Sequence, residues 1–314
     1  MLKLAIVSPC YNEEEVLISS SSRLLNVLSD LEGKGKISAD SFVLFVNDGS
    51  SDSTWDIISQ MHNSTPSIKG LNLAHNVGHQ NALMAGMMAV RGMCDAVVTI
   101  DADLQDDVTA IEKMIDGFFE GNDIVYGVKV SREGDSCLKK MSAQAFYKFQ
   151  KRYAHIETVY NHADFRLLSS KALEILSTYQ ESNLFLRGII PLMGLPATTV
   201  DDVIIARTAG KSKYSFRKMM SLALDGITSF SSKPIMSIIH VGLLFTAISF
   251  CLIIYVIIKY FKDEVVPGWS SLMVSVWFIG GILLIALGVI GIYIGRIYTE
   301  VKHRPLYIIK DKLF

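Results

Sequence analysis

Two apolar stretches near the C-terminal end constrain this chain more than any other feature. The first is PIMSIIHVGLLFTAISFCLIIYVII, residues 234–258; the second is SLMVSVWFIGGILLIALGVIGIYIG, residues 271–295. As helices, at 1.5 Å rise per residue, each reaches about 37 Å, enough to cross a hydrocarbon core of about 30 Å with some tilt. Neither shows a polar face, which favours a membrane over a pair of buried core helices. Between them, KYFKDEVVPGW turns on Pro267 and Gly268, and its charges cancel: Lys259 and Lys262 against Asp263 and Glu264. Tyr260 and Trp269 suit interface depth. The outer flanks are basic, with Lys211, Lys213, Arg217, Lys218 and Lys233 before, and Arg296, Lys302, Arg304, Lys310 and Lys312 after. That asymmetry places both flanks, and the N-terminal bulk, on the cytoplasmic side.

In SFRKMMSLALDGITSF, residues 215–230, Phe216, Met219, Met220, Ala223, Leu224 and Ile227 share one helical face. Arg217, Lys218, Ser221, Asp225 and Thr228 lie elsewhere. Such a basic amphipathic helix can lie in the membrane interface or pack on the soluble domain; its place just before a span favours the interface. The expected organisation is a cytoplasmic domain over 1–210, a juxtamembrane helix over 211–233, two transmembrane helices with a short outer loop over 234–298, and a cytoplasmic tail over 299–314. Gly280, Gly281, Gly288, Gly291 and Gly295 permit close helix packing, and with it a homo-oligomer.

The overall net charge of −1 gives no electrostatic case for nucleic acid. Cys10, Cys94, Cys137 and Cys251 are scattered, with no metal-ligand spacing; the first three fit a reducing compartment. MLKLAIVSP reads as a first strand rather than a signal peptide.

The first 128 residues alternate. Strand-like runs are LAIVS (4–8), FVLFVN (42–47), IKGLNLA (68–74), AVVTI (96–100) and DIVYGV (123–128), with helical patterns at 14–30, 53–62, 78–91 and 107–120. That order predicts βαβ units and a mainly parallel sheet. Ligands of such sheets bind beyond the carboxyl ends of the strands. The segments found there are SPCYNEEE, NDGSSDST, HNVGHQNA and DADLQDD. No GxGxxG follows the first strand. Gly210-Lys211-Ser212 lacks the first glycine of a P-loop, having Ile205 in its place. An acidic rim repels a bare diphosphate, but a divalent cation reverses the sign. Mg²⁺ and Mn²⁺ take oxygen ligands and keep several waters, so Asp101 and Asp103 suffice as the protein's share. Asp106 or Asp107 is expected to cap the helix over 107–120, and Asp52 the helix over 53–62.

SPCYNEEE, VNDGSSDST, NVGHQNAL and DADLQDD, in this order, resemble the family-2 glycosyltransferases of GT-A fold. DFRLLSSKAL, FLRGIIPLMGL, RTAGKSKYSFRKM and two C-terminal spans narrow the resemblance to the polyprenyl-phosphate type, relatives of bactoprenol glucosyltransferases and dolichol-phosphate mannose synthase. It covers nearly the whole chain. The resemblance implies an inverting transfer of a sugar, glucose from UDP-glucose first, to undecaprenyl phosphate at a bacterial inner membrane, for cell-surface glycan or O-antigen modification. UDP-N-acetylglucosamine and GDP-mannose are alternative donors. It also implies residue roles. Pro9, Tyr11 and Glu13 hold base and ribose, with Asp48 beside them. Asp101 and Asp103 bind the metal, with Gln105 as further ligand or orienter. Arg132 lies near the sugar and acceptor phosphate, and Asp164 and Arg166 face the sugar. Arg207, Ser212 and Lys213 meet phosphates near the membrane. Lys129 stands where the resemblance leads one to expect Arg, keeping the charge without the bidentate fork.

Other readings remain open at this level. Asp48-Gly49 can be only a turn, and Arg166 and Arg207 surface ion pairs. His75, His79 and His162 have no spacing that demands a metal; Asn76 and Gln80 support the rim. A processive polysaccharide synthase would carry QxxRW, which QKRY at 150–153 does not match. A non-catalytic nucleotide-binding membrane protein would have no need of both Asp101 and Asp103.

Overall fold

The computed structural model describes residues 1–129, 162–179, 184–202 and 268–314, with single positions at 181, 244, 251 and 254. The chain divides into two compact units, Met1–Ser215 with Pro305–Phe314, and Phe216–Arg304.

The first unit is a three-layer α/β domain. Its strands are β1 (Leu4–Cys10), β2 (Phe42–Asn47), β3 (Ile68–Leu73), β4 (Ala96–Thr99), β5 (Ile124–Lys129), β6 (His162–Ser169), β7 (Ala197–Asp202) and β8 (Ile309–Leu313). They form one sheet in the order β7-β5-β6-β4-β1-β2-β3-β8. β4-β1-β2-β3 is parallel throughout, and β7 runs parallel to β5. β6 is antiparallel to both β4 and β5, and β8 antiparallel to β3. The mainly parallel GT-A-like sheet is as expected.

The central strands are buried on both faces, so they read as unbroken apolar runs. Helix α1 (Leu17–Gly33) puts Leu17, Leu24, Leu28 and Leu31 against one face, each contributing about 1.5–3 kcal/mol of burial. It ends in a Schellman turn: Lys36 N donates to Leu31 O, Gly35 N donates to Glu32 O, and Gly35 takes φ +68°. Ile58 of α2 (Thr54–Ser64) and Ile111, Met114 and Ile115 of α4 (Ala110–Phe119) join the same core. Helix α3 (His79–Val90) covers the opposite face. Its Gly86 lies so close to the sheet that a Cβ would stand 2.5 Å from Val7 and 2.7 Å from Val46. Two short helices, α5 (Ser170–Leu176) and α6 (Leu186–Leu192), follow β6.

In the second unit, α7 (Trp269–Val301) contains the second apolar stretch and outruns it. Its segment Phe278–Val301 is long and apolar enough to cross a membrane, with mean hydropathy 2.4 and none of its most apolar window buried. Among the described residues it is one such helix. The first expected span and the amphipathic helix over 215–230 lie outside the described residues, apart from Leu244, Cys251 and Ile254, which are helical and exposed. Within 299–314 the chain completes α7 and then forms β8, a strand that sequence reasoning did not anticipate.

Gly86→Val is expected to destabilise the protein by about 1–3 kcal/mol through overpacking against Val7 and Val46. Gly33→Ala, with nothing within 4 Å of the added carbon, is the control. Thermal melts in detergent that show equal losses for the two would refute the close packing of α3.

Candidate active site

The segments after β1, β2, β3 and β4 meet at one rim of the sheet, each fixed by turn chemistry. After β2, Asp48 is buried. Its Oδ1 accepts the N–H of Val77 (2.7 Å) and its Oδ2 that of Gly78 (3.0 Å). Gly49 takes φ +62°, where a Cβ would stand 2.5 Å from Asn76 N. Asp48-Gly49 is therefore a turn, and also the clasp on the loop after β3. Burial leaves the Asp48 carboxyl above its usual range despite both N–H bonds. After β1, Asn12 takes φ +54°; its N–H donates to Ser50 Oγ (3.0 Å) and its Oδ1 accepts from Ser51 N (2.9 Å). Pro9 is buried, Tyr11 is 45% exposed and Glu13 is half-buried, its N–H donating to Thr54 Oγ1 (3.1 Å). Asp52, expected as the cap of α2, accepts from Thr54 N (3.1 Å) but stands one residue ahead of the N-cap position, which Ser53 occupies.

The acids after β4 separate into two kinds. Leu104 N donates to Asp101 O (3.1 Å), closing a turn in which Leu104 is buried at φ +44°. A left-handed leucine costs about 1–2 kcal/mol, so this turn is held from outside. Ser20 of α1 donates its Oγ–H to Ala102 O (2.6 Å), and Asp202 at the end of β7 accepts from Asp107 N (2.8 Å). Asp107 in turn accepts from Thr109 N (3.0 Å), just ahead of α4. Asp106 caps nothing: it is buried, with Lys129 Nζ 3.0 Å away. Lys129 thus spends its charge on Asp106.

Asp101 and Asp103 remain at the rim. The Asp101 side chain is 49% exposed. Its carboxyl is pushed up to about 6, first by desolvation and then by Asp164, Asp106 and Asp103, against the opposing pull of His79. Gln105 Nε2 donates to Asp103 Oδ2 (2.7 Å). Among the described residues no group of three or more His, Cys, Asp or Glu has metal-holding geometry.

Because β6 runs antiparallel to β4, with Arg166 opposite Thr99, it begins where β4 ends. That brings Asp164 beside Asp101. Arg166 is 1% exposed, and its Nη2 donates to Asp164 Oδ1. It is no surface ion pair. From α6, Arg187 donates Nη2–H to Asp164 Oδ2 (2.9 Å) and Nε–H to Oδ1 (3.2 Å). Gln80 Nε2 donates to the same Oδ2 (3.3 Å), while Gln80 Oε1 accepts from Leu186 N (3.1 Å). His79 Nε2 stands 3.5 Å from both Asp101 Oδ1 and Asp164 Oδ2. Burial alone would raise the Asp164 carboxyl, but His79, Arg166 and Arg187 hold it well below the usual carboxylate range. Burial would lower the His79 pKa; Asp164 and Asp101 prevail and raise it.

Sequence reasoning gave Arg187 no role, His79 no metal and Gln80 only support. No spacing could have joined them: Gln80 and Leu186 are 106 residues apart. Of the candidates, Asp101, Asp103, Gln105, Asp164 and Arg166 come together, with Pro9, Tyr11, Glu13 and Asp48 along the same rim. Arg132, Arg207, Ser212 and Lys213 lie outside the described residues.

A mainly parallel sheet with acids at its strand ends, set against a buried Asp–Arg cluster, makes this a GT-A-like α/β domain. Residues 5–176 match the family described as glycosyl transferase family 2. The chain belongs to that family and is a glycosyltransferase. It is 44% identical over 311 residues to the glycosyltransferase YkoT of Bacillus subtilis, covering 99% of this chain and 92% of that protein. It is 38% identical over 314 residues to the bactoprenol glucosyl transferase of Shigella phage SfV, covering 99% of each. Among solved structures it is similar to the mannosyltransferase PcManGT of Pyrobaculum calidifontis, at 15% identity and TM-score 0.48, covering 96% of this chain and 87% of that one.

The raised Asp101 carboxyl makes stability depend on pH. It titrates near 6 when folded and near 3.8 when unfolded. Between those values the folded state keeps a proton the unfolded chain has lost, so stability falls as pH rises through that window and stays lower above it. In metal-free buffer at about pH 7.5, Asp101→Asn should therefore melt above the wild type, with the gap closing toward about pH 4.5. A gap that stays constant with pH would contradict the raised carboxyl.

Proposed function

We propose that this enzyme transfers a sugar from a nucleotide diphosphate to a polyprenyl phosphate in the membrane. Glucose from UDP-glucose is the first-choice donor substrate, and undecaprenyl phosphate the acceptor. The observation that carries this reading is the end-to-end similarity to a bactoprenol glucosyl transferase, 99% of both chains. The product is a lipid-phosphate-linked sugar for cell-surface glycan or O-antigen modification. The sugar nucleotide arrives from the cytoplasm, and the tail of the lipid lies in a bacterial inner membrane, where the apolar segments 234–258 and 271–295 are the proposed spans.

The acids after β4 fit a hard divalent cation, Mg²⁺ or Mn²⁺. Asp101 and Asp103 offer carboxylate oxygens, and Asp164, Asp106 and Asp103 add their negative charge to the desolvation that raises the Asp101 carboxyl. A bound cation would supply neutralisation of the leaving diphosphate. Pro9, Tyr11 and Glu13 take base and ribose, while Asp48 keeps the neighbouring loop in place. Asp164, held ionised by two guanidinium groups, is a poor proton acceptor. None is needed, because a phosphate monoester has its second pKa near about 6 and is already largely ionised at neutral pH. Asp164 and Arg187 thus position the sugar side of the site, with Arg166 locked beneath. Arg132, Arg207, Ser212 and Lys213 take the diphosphate and acceptor phosphates.

In detergent with undecaprenyl phosphate and Mg²⁺, label from one sugar nucleotide in a panel should move into the lipid fraction, and EDTA should stop it. Asp103→Asn should lower turnover by at least about a hundredfold while the protein stays folded and membrane-bound. Transfer by that variant near the wild-type rate would remove Asp103 from the mechanism. No transfer from any donor, despite metal-dependent nucleotide binding, would point to a different acceptor.

A further inference from the structure

The last strand reaches the rim through a single row of side chains. Register pairs Cys10 with Asn47, Asn47 with Asn72, and Asn72 with Asp311, so these four residues lie side by side across β1, β2, β3 and β8. Side chains in one row of a sheet share a face. Along this row, Asn72 Nδ2 donates to Asp311 Oδ2 (2.9 Å), Asn47 Nδ2 donates to Asn72 Oδ1 (2.8 Å), and Ser50 N donates to Asn47 Oδ1 (3.3 Å). Asn12 then joins through Ser50 Oγ (3.0 Å) and Ser51 N (2.9 Å). Hydrogen bonds therefore run unbroken from the C-terminal strand to the two loops that carry Tyr11, Glu13 and Asp48. Asn47 and Asn72 are buried.

The direction of this row matters more than its length. An amide has a donor end and an acceptor end; a carboxylate only accepts. Asp311 therefore obliges Asn72 to offer its NH₂ outward, which turns Oδ1 toward Asn47. Asn47 must answer with its own NH₂, and its Oδ1 is left facing Ser50 N–H. Were both amides to flip, Asn47 would present NH₂ to an N–H donor and the turn after β2 would lose its anchor. We propose that Asp311 is a positioning residue for the donor site, fixing the polarity of the Asn72–Asn47 relay and so the turn at Gly49–Ser51. This rests on the donor reading of that rim given above.

β8 does not need Asp311 in order to dock. Ala74 N donates to Ile308 O (2.9 Å), Leu313 packs over Gly70, and Lys69 lies over the rings of Phe42 (4.9 Å) and Phe314 (5.2 Å). Substitutions at Asp311 therefore test the relay rather than the strand.

The test uses the full chain in detergent, with hydrogen–deuterium exchange of peptides spanning 47–53 and steady-state kinetics with UDP-glucose, Mg²⁺ and undecaprenyl phosphate. Asp311→Ala should speed exchange of the Ser50 and Ser51 amides and raise the donor KM about fivefold, the size of one ordinary hydrogen bond, with kcat and acceptor KM unchanged. Asp311→Lys, which can only donate, should be worse than Ala. Asp311→Asn, which keeps an acceptor oxygen, should restore both readouts, and Lys312→Ala should change neither. Unchanged exchange in the Ala and Lys variants would overturn the proposal, whether or not UDP-glucose is the donor. Faster exchange with an unchanged donor KM would overturn it too, by making Asp311 purely structural. If the wild type turns over no donor, the reaction reading fails separately, and the exchange result still decides the relay.

Discussion

The contact on which this site depends is that between Asp164 and Arg166. Arg166 is buried in the sheet, between β4 and β5, where an unpaired guanidinium would cost several kcal/mol. Asp164 offsets that cost and is itself held ionised by doing so. Arg187 and Gln80 then tie the same carboxylate to α6 and α3, closing three elements around one point. His79 spans from this cationic cluster to Asp101. The site is thus two opposite charge excesses side by side, arginines around Asp164 and acids after β4.

Such a site works only if its groups stay in place, because electrostatic stabilisation depends on donors and charges fixed beforehand. The strand-end loops are held accordingly, and mostly from elsewhere in the chain. Leu104 is kept left-handed by a turn that Ser20 and Asp202 hold from two other elements. Gly49 admits the loop after β3 to a distance no side chain would allow, and Asp48 fastens it there. Several polar residues that look like ligands in the sequence are thus engaged within the protein: Asp48, Asp52 and Asp107 hold backbone N–H groups, and Asp106 pairs with Lys129.

That division explains what the sequence could and could not reveal. β1 to β5 and their helices are legible because buried parallel strands are short apolar runs between amphipathic helices. β6 hides because its largest fully buried side chain is an arginine. β7 (ATTVDD) and β8 (IKDKL) hide because edge strands carry polar and charged residues that discourage further pairing. Asp101 and Asp103 stand out by their place after a strand. Asp164 and Arg166 are visible only through family resemblance, since alone they read as a surface pair. His79 and Arg187 are silent, because their meaning comes from a carboxylate contributed by another part of the chain.

β8 also bears on membrane crossing. The chain leaves the sheet after Asp202 and pairs with it again at Ile309, in register with β3. If α7 crosses a bilayer once on the way, β8 ends on the wrong side of the membrane from the sheet it joins. An odd number of crossings is therefore incompatible with β8, and an even number is required. β8 thus returns the end of the chain to the sheet that β7 left, through a five-residue charged strand that pairs with β3.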